Sequence, residues 1–364
     1  MSAPLASLPA ADGFRMPGEF APHSGCWMAW PERPDNWREG AGPARRAFAA
    51  IAAAIHASDP VTVTVSSAQG RESAQALLPA GIRILDIPSN DCWMRDIGPT
   101  FLTGPGGKIR AGDWRFNAWG GEVNGLYSPW DLDDAMAARI AEVEGVERYR
   151  APFVLEGGAI HVDGEGTVFT TAECLLSAGR NPQMTRAEIE QGLKDWLGAT
   201  TVVWLPRGVH LDETDGHVDN LLHVCAPGTV ALTWTDDKGD PQYERSAEAL
   251  EHLSACRDAR GHPLRIVRLP MPGPLHMSAQ EAAGIAAGDN GMARSAGERL
   301  AGSYANFYIA NTRVVFPLLD ERTDTQAAAI LAELFPGREI VGVPGREVLL
   351  GGGNIHCITQ QVPA

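Results

Sequence analysis

Five polar groups stand at the entrances of segments that read as β-hairpins. They are Asp96 in "WMRD", Glu156 in "LEGGAIHVD", His217 and Asp219 in "TDGHVDN", and Cys357 in "GGGNIHC". The set is one thiol, one imidazole and three carboxylates, with glycines that let a ligand come close to the backbone. Each member alone has an ordinary explanation. A cysteine in a strand is usually a small packed hydrophobe, Asp96 can pair with its neighbour Arg95, and Asp219 can close an Asx-turn. The glycine runs are not a phosphate cradle, because no Lys or Ser/Thr follows with P-loop spacing. A lone thiol with three carboxylates mixes soft and hard ligands, so a bound metal is not expected. What sets the five apart is that they recur at the same point of a repeat.

A thiol becomes a nucleophile by ionising, and neighbouring carboxylates oppose that. The combination makes chemical sense when the substrate supplies the positive charge. A guanidinium is planar and permanently charged, and it presents paired N–H donors that carboxylates accept two at a time. It would satisfy the carboxylates, help the thiol ionise and place an electrophilic carbon before it.

These groups have to be brought together by the elements that carry them. "GCWMAWP", "VTVTVSS" and "IRILDIPS" are β-rich, and "GPARRAFAAIAAAIHAS" (42–58) is an amphipathic helix. The segment 92–114 reads as two strands about a Gly-Pro turn, followed by a helix at 132–143 and a strand in "RYRAPFVLE". The same order then recurs: "AIHVDGEGTVFTTAE" is a hairpin with Asp-Gly at its turn, "TRAEIEQGLKDWLG" a helix with Thr185 as its N-cap, and "TTVVWLP" a strand. Two further rounds occupy 217–270 and 305–344. The final "NIHCITQQ" is a strand without a mate, and so is "GCWMAWP" near the other end. Pairing these two completes a fifth unit and removes two exposed edges, so the expected fold is a five-bladed α/β propeller closed by its terminal strands. An ordinary pair of α/β domains is the alternative. The stretch 271–303 does not fit the period and reads as a long loop insertion, a place where function often lies.

Composition narrows the classes. The formal net charge of −15, from 45 acidic and 30 basic residues, argues against nucleic acid. It suits a cationic small molecule. No run approaches the roughly 18 apolar residues of a membrane span, and "MSAPLASLPAADGF" lacks the basic start of a signal peptide, so a cytoplasmic protein is expected. Six scattered cysteines without a C-x-x-C pair fit neither a zinc ribbon nor a disulfide framework.

The longer motifs carry more. "MPGEFAPHSGCWMAWP", "NDCWMRDIGPTF", "LEGGAIHVDGEGTVFTTAECLLSAGRNPQMT", "DETDGHVDN", "TWTDDKGDPQYERS" and "GGGNIHCITQQVPA" closely resemble the agmatine deiminases (agmatine iminohydrolases) of the guanidino-group-modifying, or pentein, superfamily. The resemblance runs from about Phe14 to the end, leaving a leader at 1–13 and one catalytic domain at 14–364. It implies hydrolysis of agmatine to N-carbamoylputrescine and ammonia, in putrescine (polyamine) biosynthesis or agmatine breakdown, without a cofactor. Association into a homo-oligomer stays open. By the same resemblance Cys357 is the nucleophile that forms an amidino-cysteine, and His217 is the general acid/base. Asp96 and Asp219 grip the guanidinium, with Glu156 beside them.

Agmatine is arginine without its carboxylate, so its enzyme needs an acceptor for an ammonium and no arginine clamp. The loop "LDETDGH" offers Asp212, Glu213 and Asp215, with no Arg between Arg207 and His217. Glu213 is the leading candidate for the amine contact, and Trp93 and Trp119 are candidates to flank the four-carbon stem. The rival readings are an arginine or peptidyl-arginine deiminase, an amidinotransferase, and a non-catalytic binder of cationic amines. Simple cation binding needs no thiol, which weighs against the last.

Overall fold

Each β-rich run of the sequence is extended in the computed structural model, which describes residues 3–288, 291 and 294–364. Four sheets share one plan, an antiparallel pair followed by a helix and a parallel third strand. They are Thr100–Thr103, Ile109–Arg115 and Arg148–Val154; His161–Val162, Thr167–Thr171 and Thr201–Leu205; Leu222–Ala226, Thr229–Trp234 and Arg265–Pro270; and Tyr308–Ile309, Arg313–Leu318 and Glu339–Pro344. The helices that carry the chain to the third strand are Met136–Glu144, Arg186–Leu197, Pro241–Ala255 and Asp324–Leu334.

A fifth sheet repeats the plan with strands from opposite ends of the chain. Gln360–Pro363 pairs antiparallel with His23–Ala29, with Gly25 opposite Val362 and Trp27 opposite Gln360. The helix Gly42–His56 then leads to the parallel strand Val61–Val65. A second helix, Ala68–Leu77, adds one more strand, Arg83–Asp86. That helix was not read from the sequence, although Ser67 marks its start by accepting from Gly70 N at 2.9 Å.

Local rules explain most boundaries. Thr185 caps Arg186–Leu197 through a reciprocal box, in which Glu188 also accepts from the Thr185 backbone N–H. Asp163 accepts from Glu165 N and Thr167 N and so closes the Asp-Gly hairpin turn. Each long helix lays a buried stripe, such as Phe48, Ile51 and Ile55, against its sheet.

Two expectations need correction. The hairpin entrances are not strands: Met94–Ile97 and Val218–Leu221 are single helical turns, Gly157–Ala159 is a 3-10 turn, and 354–359 coils before the last strand begins at Gln360. Polar side chains that hydrogen-bond their neighbours favour turns over extended chain. The stretch 271–303 is not wholly loop, since Leu275–His276 pairs with Arg299–Leu300 and Ala279–Ala283 is helical. The segment before the first strand lies along other units: Arg15 exchanges backbone hydrogen bonds with Thr103, and Leu5 bridges to Tyr149. Among the described residues no helix is long and apolar enough to cross a membrane.

Candidate active site

The turns that precede the hairpins meet one another. The Arg95 backbone N–H donates to Cys357 O at 3.0 Å, which ties the turn carrying Asp96 to the one carrying the thiol. The Gly158 N–H donates to Asp96 Oδ1 at 2.8 Å. A Cβ on Gly158 would stand 2.5 Å from His217 Nδ1, 2.9 Å from Asp219 Oδ2 and 3.0 Å from Asp96 Oδ1, so only glycine fits between these three side chains. Gly353 plays the same part beside the thiol, where a Cβ would lie 2.6 Å from the Trp93 ring and 3.0 Å from Cys357 Sγ.

Cys357, His217, Asp96, Asp219 and Glu156 are all buried, and they form one cluster. Cys357 Sγ lies 3.5 Å from Asp219 Oδ2 and 3.1 Å from Asn306 Nδ2. His217 Nδ1 is 3.9 Å from Asp96 Oδ2, and His217 Nε2 is 3.8 Å from Glu156 Oε2. Asp219 Oδ1, Glu156 Oε2 and His217 Nε2 are buried without a hydrogen-bond partner among the described residues. Such atoms are costly unless a ligand meets them.

Electrostatics divides the roles. Burial, with Asp219 and Asp96 adding, pushes the Cys357 thiol well above its usual range, so the resting residue is a thiol. Burial raises Asp96 to about 6, aided by Asp219 and Glu156 and opposed by His217. Burial works against charge on His217, yet Asp96, with Cys174 and Glu156 adding, holds the imidazolium well above the ordinary range. Burial also opposes ionisation of Glu156, but Arg180 lowers it, donating from Nε to Oε1 at 2.8 Å. Asp219 is lowered against burial by its hydrogen bond from His356.

A cavity of about 330 Å³ opens onto this cluster, lined by Trp93, Asp96, Trp119, Leu126, Glu213, Thr214, His217, Asn220, Gly351 to Gly353 and Cys357. A second, of about 280 Å³, continues past Trp93 and Trp119 to Arg33, Asp91, Tyr127 and Arg294. Trp93 and Trp119 are anchored through their indole N–H groups, to Asp91 at 3.2 Å and to Asp96 at 2.9 Å.

Glu213 lines the cavity as expected, but Arg294 grips both its oxygens, one at 2.9 Å. The neighbouring acids are taken as well. Asp215 meets Arg180 at 2.9 Å, and Asp212 accepts from Thr214 and Asn220. The absence of Arg from the local sequence therefore did not mean an absence of Arg at the loop, since Arg294 arrives from the 271–303 stretch and Arg180 from another unit. Asn306 was also missed. It holds the entrance of the remaining unit, two residues before Tyr308–Ile309, and accepts from His356 N at 2.9 Å and Cys357 N at 3.3 Å. The repeat itself would have located it, because every other unit carries a site residue at that point.

Among the described residues two buried groups have metal-ligand side chains, Glu156–Cys174–His217 and Glu19–His161–His223–His356. In the first, Glu156 is held by Arg180. In the second, Glu19 accepts from Arg95 at 3.2 Å and from His356 at 3.0 Å, and the other His356 nitrogen faces Asp219. Hydrogen bonds thus join Glu19 and His356, whereas both ring nitrogens of His161 and Nε2 of His223 have no hydrogen-bond partner among the described residues.

A model of the Porphyromonas-type peptidyl-arginine deiminase family matches residues 15–363. An agmatine deiminase of Ectopseudomonas mendocina is 54% identical over 361 residues, covering 99% of this chain and 98% of that protein. The solved agmatine deiminase of Enterococcus faecalis superimposes with a TM-score of 0.96 at 45% identity, covering 100% of this chain and 99% of that one. A C. jejuni agmatine deiminase, 23% identical with a TM-score of 0.79 over 97% of both chains, shows that the fold persists at much lower identity. The chain belongs to the Porphyromonas-type peptidyl-arginine deiminase family and, within the pentein superfamily, to the agmatine deiminases.

Proposed function

We propose that this protein hydrolyses agmatine to N-carbamoylputrescine and ammonia. The observation that carries the reading is the convergence of unpartnered carboxylate and imidazole atoms beside the buried thiol of Cys357. The relatives named above add to it. Asp96 and Asp219 accept the guanidinium N–H groups, and its charge lowers the cost of ionising Cys357, whose proton leaves to solvent. Sγ attacks the guanidinium carbon. His217, already an imidazolium, protonates the departing nitrogen as the C–N bond breaks. The neutral imidazole then takes a proton from water, whose oxygen bonds to the same carbon. The Sγ–C bond breaks and the ureido product leaves. One hard step becomes two easier ones.

Charge at the mouth favours agmatine over arginine. Arg294 is paired with Glu213, and Arg33 with Asp35 at 2.7 Å and Asp91 at 3.7 Å. A substrate carboxylate would therefore find neither cation free there, and burying it unpaired is costly. An ammonium can use the second lone pairs of Glu213, with Trp93 and Trp119 along the stem. In this reading the five sheets are blades of an α/β propeller about the site, closed where Gln360–Pro363 pairs with His23–Ala29, in one catalytic domain (14–364) behind a short leader. The enzyme is cytoplasmic, in keeping with its six unpaired cysteines.

Purified protein given agmatine, arginine and a peptidyl-arginine, with ureido product and ammonia assayed, decides the matter. We expect turnover of agmatine with kcat/KM at least about a hundredfold above arginine, the scale of an unpaired buried charge, and none by Cys357→Ser. Equal kcat/KM for the two would sink the agmatine assignment while leaving the guanidinium chemistry. Substantial turnover by Cys357→Ser would sink the covalent route.

A further inference from the structure

Behind the site lies a hydrogen-bonded chain that the proposed reaction does not use. His356 precedes the nucleophile in sequence but points away from the cavity. Its Nδ1 is 2.9 Å from Asp219 Oδ2, and its Nε2 is 3.0 Å from both oxygens of Glu19. Glu19 comes from the segment before the first strand, more than three hundred residues away in sequence, and is itself buried. With a carboxylate at each nitrogen, His356 satisfies both only as the doubly protonated imidazolium.

The other groups packed on this chain agree. Arg95 donates from Nη1 to Glu19 Oε1 at 3.2 Å and from Nε to the His356 carbonyl at 3.3 Å. His223 spends Nδ1 on Ala305 O at 2.9 Å and keeps Nε2 3.6 Å from Glu19. His161 stands with its ring 5.0 Å from that of His356. Burial lowers His161 to about 4 and, with His161 beside it, His223 well below the usual range, so both are neutral. Burial and Arg95 oppose a charge on His356, yet Glu19 and Asp219 raise it.

We propose that Glu19 and His356 are positioning residues that hold Asp219 as a carboxylate, with Oδ2 occupied and Oδ1 left for the substrate. The need follows from the site. Asp96 and Asp219 are both fully enclosed near one thiol, and two such carboxylates without compensation cannot both stay ionised. The imidazolium hydrogen-bonded at 2.9 Å lets Asp219 remain charged before the guanidinium arrives, while Asp96, which His217 faces only at 3.9 Å, is the acid that rises. The role rests on the guanidinium reading of the cavity, but the charge state of the chain does not.

Two measurements test it. In the resting wild-type protein, histidine-selective 15N NMR should show two imidazoles with both nitrogens protonated, those of His217 and His356, the latter persisting through pH 8 and assigned by its loss in His356→Gln. In Glu19→Gln that imidazole should lose a proton below pH 8. With agmatine, Glu19→Gln should raise KM about tenfold or more, the weight of one pKa unit, with kcat within about threefold, because bound guanidinium restores the charge on Asp219. A neutral His356 in folded wild type would overturn the proposal without any variant. So would equal losses in kcat and active-site titre with KM unchanged, which mark a merely structural role. A stoichiometric bound metal whose removal abolishes activity would overturn it too, because His356 Nε2 would then be a ligand. Wild type that turns over no guanidine refutes the functional reading and leaves the NMR result to decide the charge state.

Discussion

In the proposed reaction the carboxylate that sets the lower pH limit is Asp96. It must be an anion to accept the guanidinium, and burial, with Asp219 and Glu156 adding, raises it to about 6. Because this raised value belongs to an acid, the competent form is lost as pH falls through about 6, not through the ordinary range near about 4. kcat/KM for agmatine should therefore fall about tenfold per pH unit below that point. His217 is shifted the other way. Held well above the ordinary imidazole range against burial, chiefly by Asp96, it stays protonated through neutrality, so no drop near pH 6.5 to 7 should come from its deprotonation. A pH–rate profile flat down to about pH 4 would remove Asp96 from the binding step.

At the scale of elements, the site is built by one-turn helices and a 3-10 turn at the mouths of hairpins. His217 and Asp219 flank Val218 on such a turn. The closeness of these turns depends on Gly158, whose N–H holds Asp96 and whose missing side chain leaves room for His217 and Asp219. Gly158→Ala should cost about 1–3 kcal/mol in chemical denaturation, the range for overpacking a close contact. It should lower kcat/KM by about a hundredfold or more, because displacement of about 1 Å is enough for that. A variant with near wild-type activity would show that the three side chains tolerate wider spacing.

For the whole molecule, the decisive contact joins the two ends of the chain. Gln360–Pro363 pairs with His23–Ala29, and Cys357, the proposed nucleophile, lies three residues before that last strand. The chain end is thus held by the first strand, and with it the backbone that carries Cys357. Val362 is buried opposite Gly25 in this seam. Val362→Asp would place an unpaired charge there and should destabilise the protein by about 3 kcal/mol or more. Activity should fall in step with the fraction folded, measured by thermal unfolding and by turnover on the same sample. Loss of activity with unchanged stability would mean that the seam positions Cys357 without supporting the fold.

The sequence by itself determined the periodic order of strands and helices, the Thr185 cap, the Asp-Gly turn and the five polar positions that gather in one buried cluster. All of these are written in local patterns: alternation of apolar residues, turn chemistry, and polar groups recurring at one point of a repeat. The pairing of the terminal strands also followed, since two mateless strands leave two edges to cover. Tertiary structure alone decided the rest. Arg180 carries no local signal of its role, because it joins Glu156 at one unit's entrance to Asp215 in the loop before the next. Arg294 reaches Glu213 across 81 positions of sequence, and Glu19 reaches His356 across 337. Charge balance in a buried site is a property of distances in space, and spacing along the chain does not report those distances once the connections run between separate units.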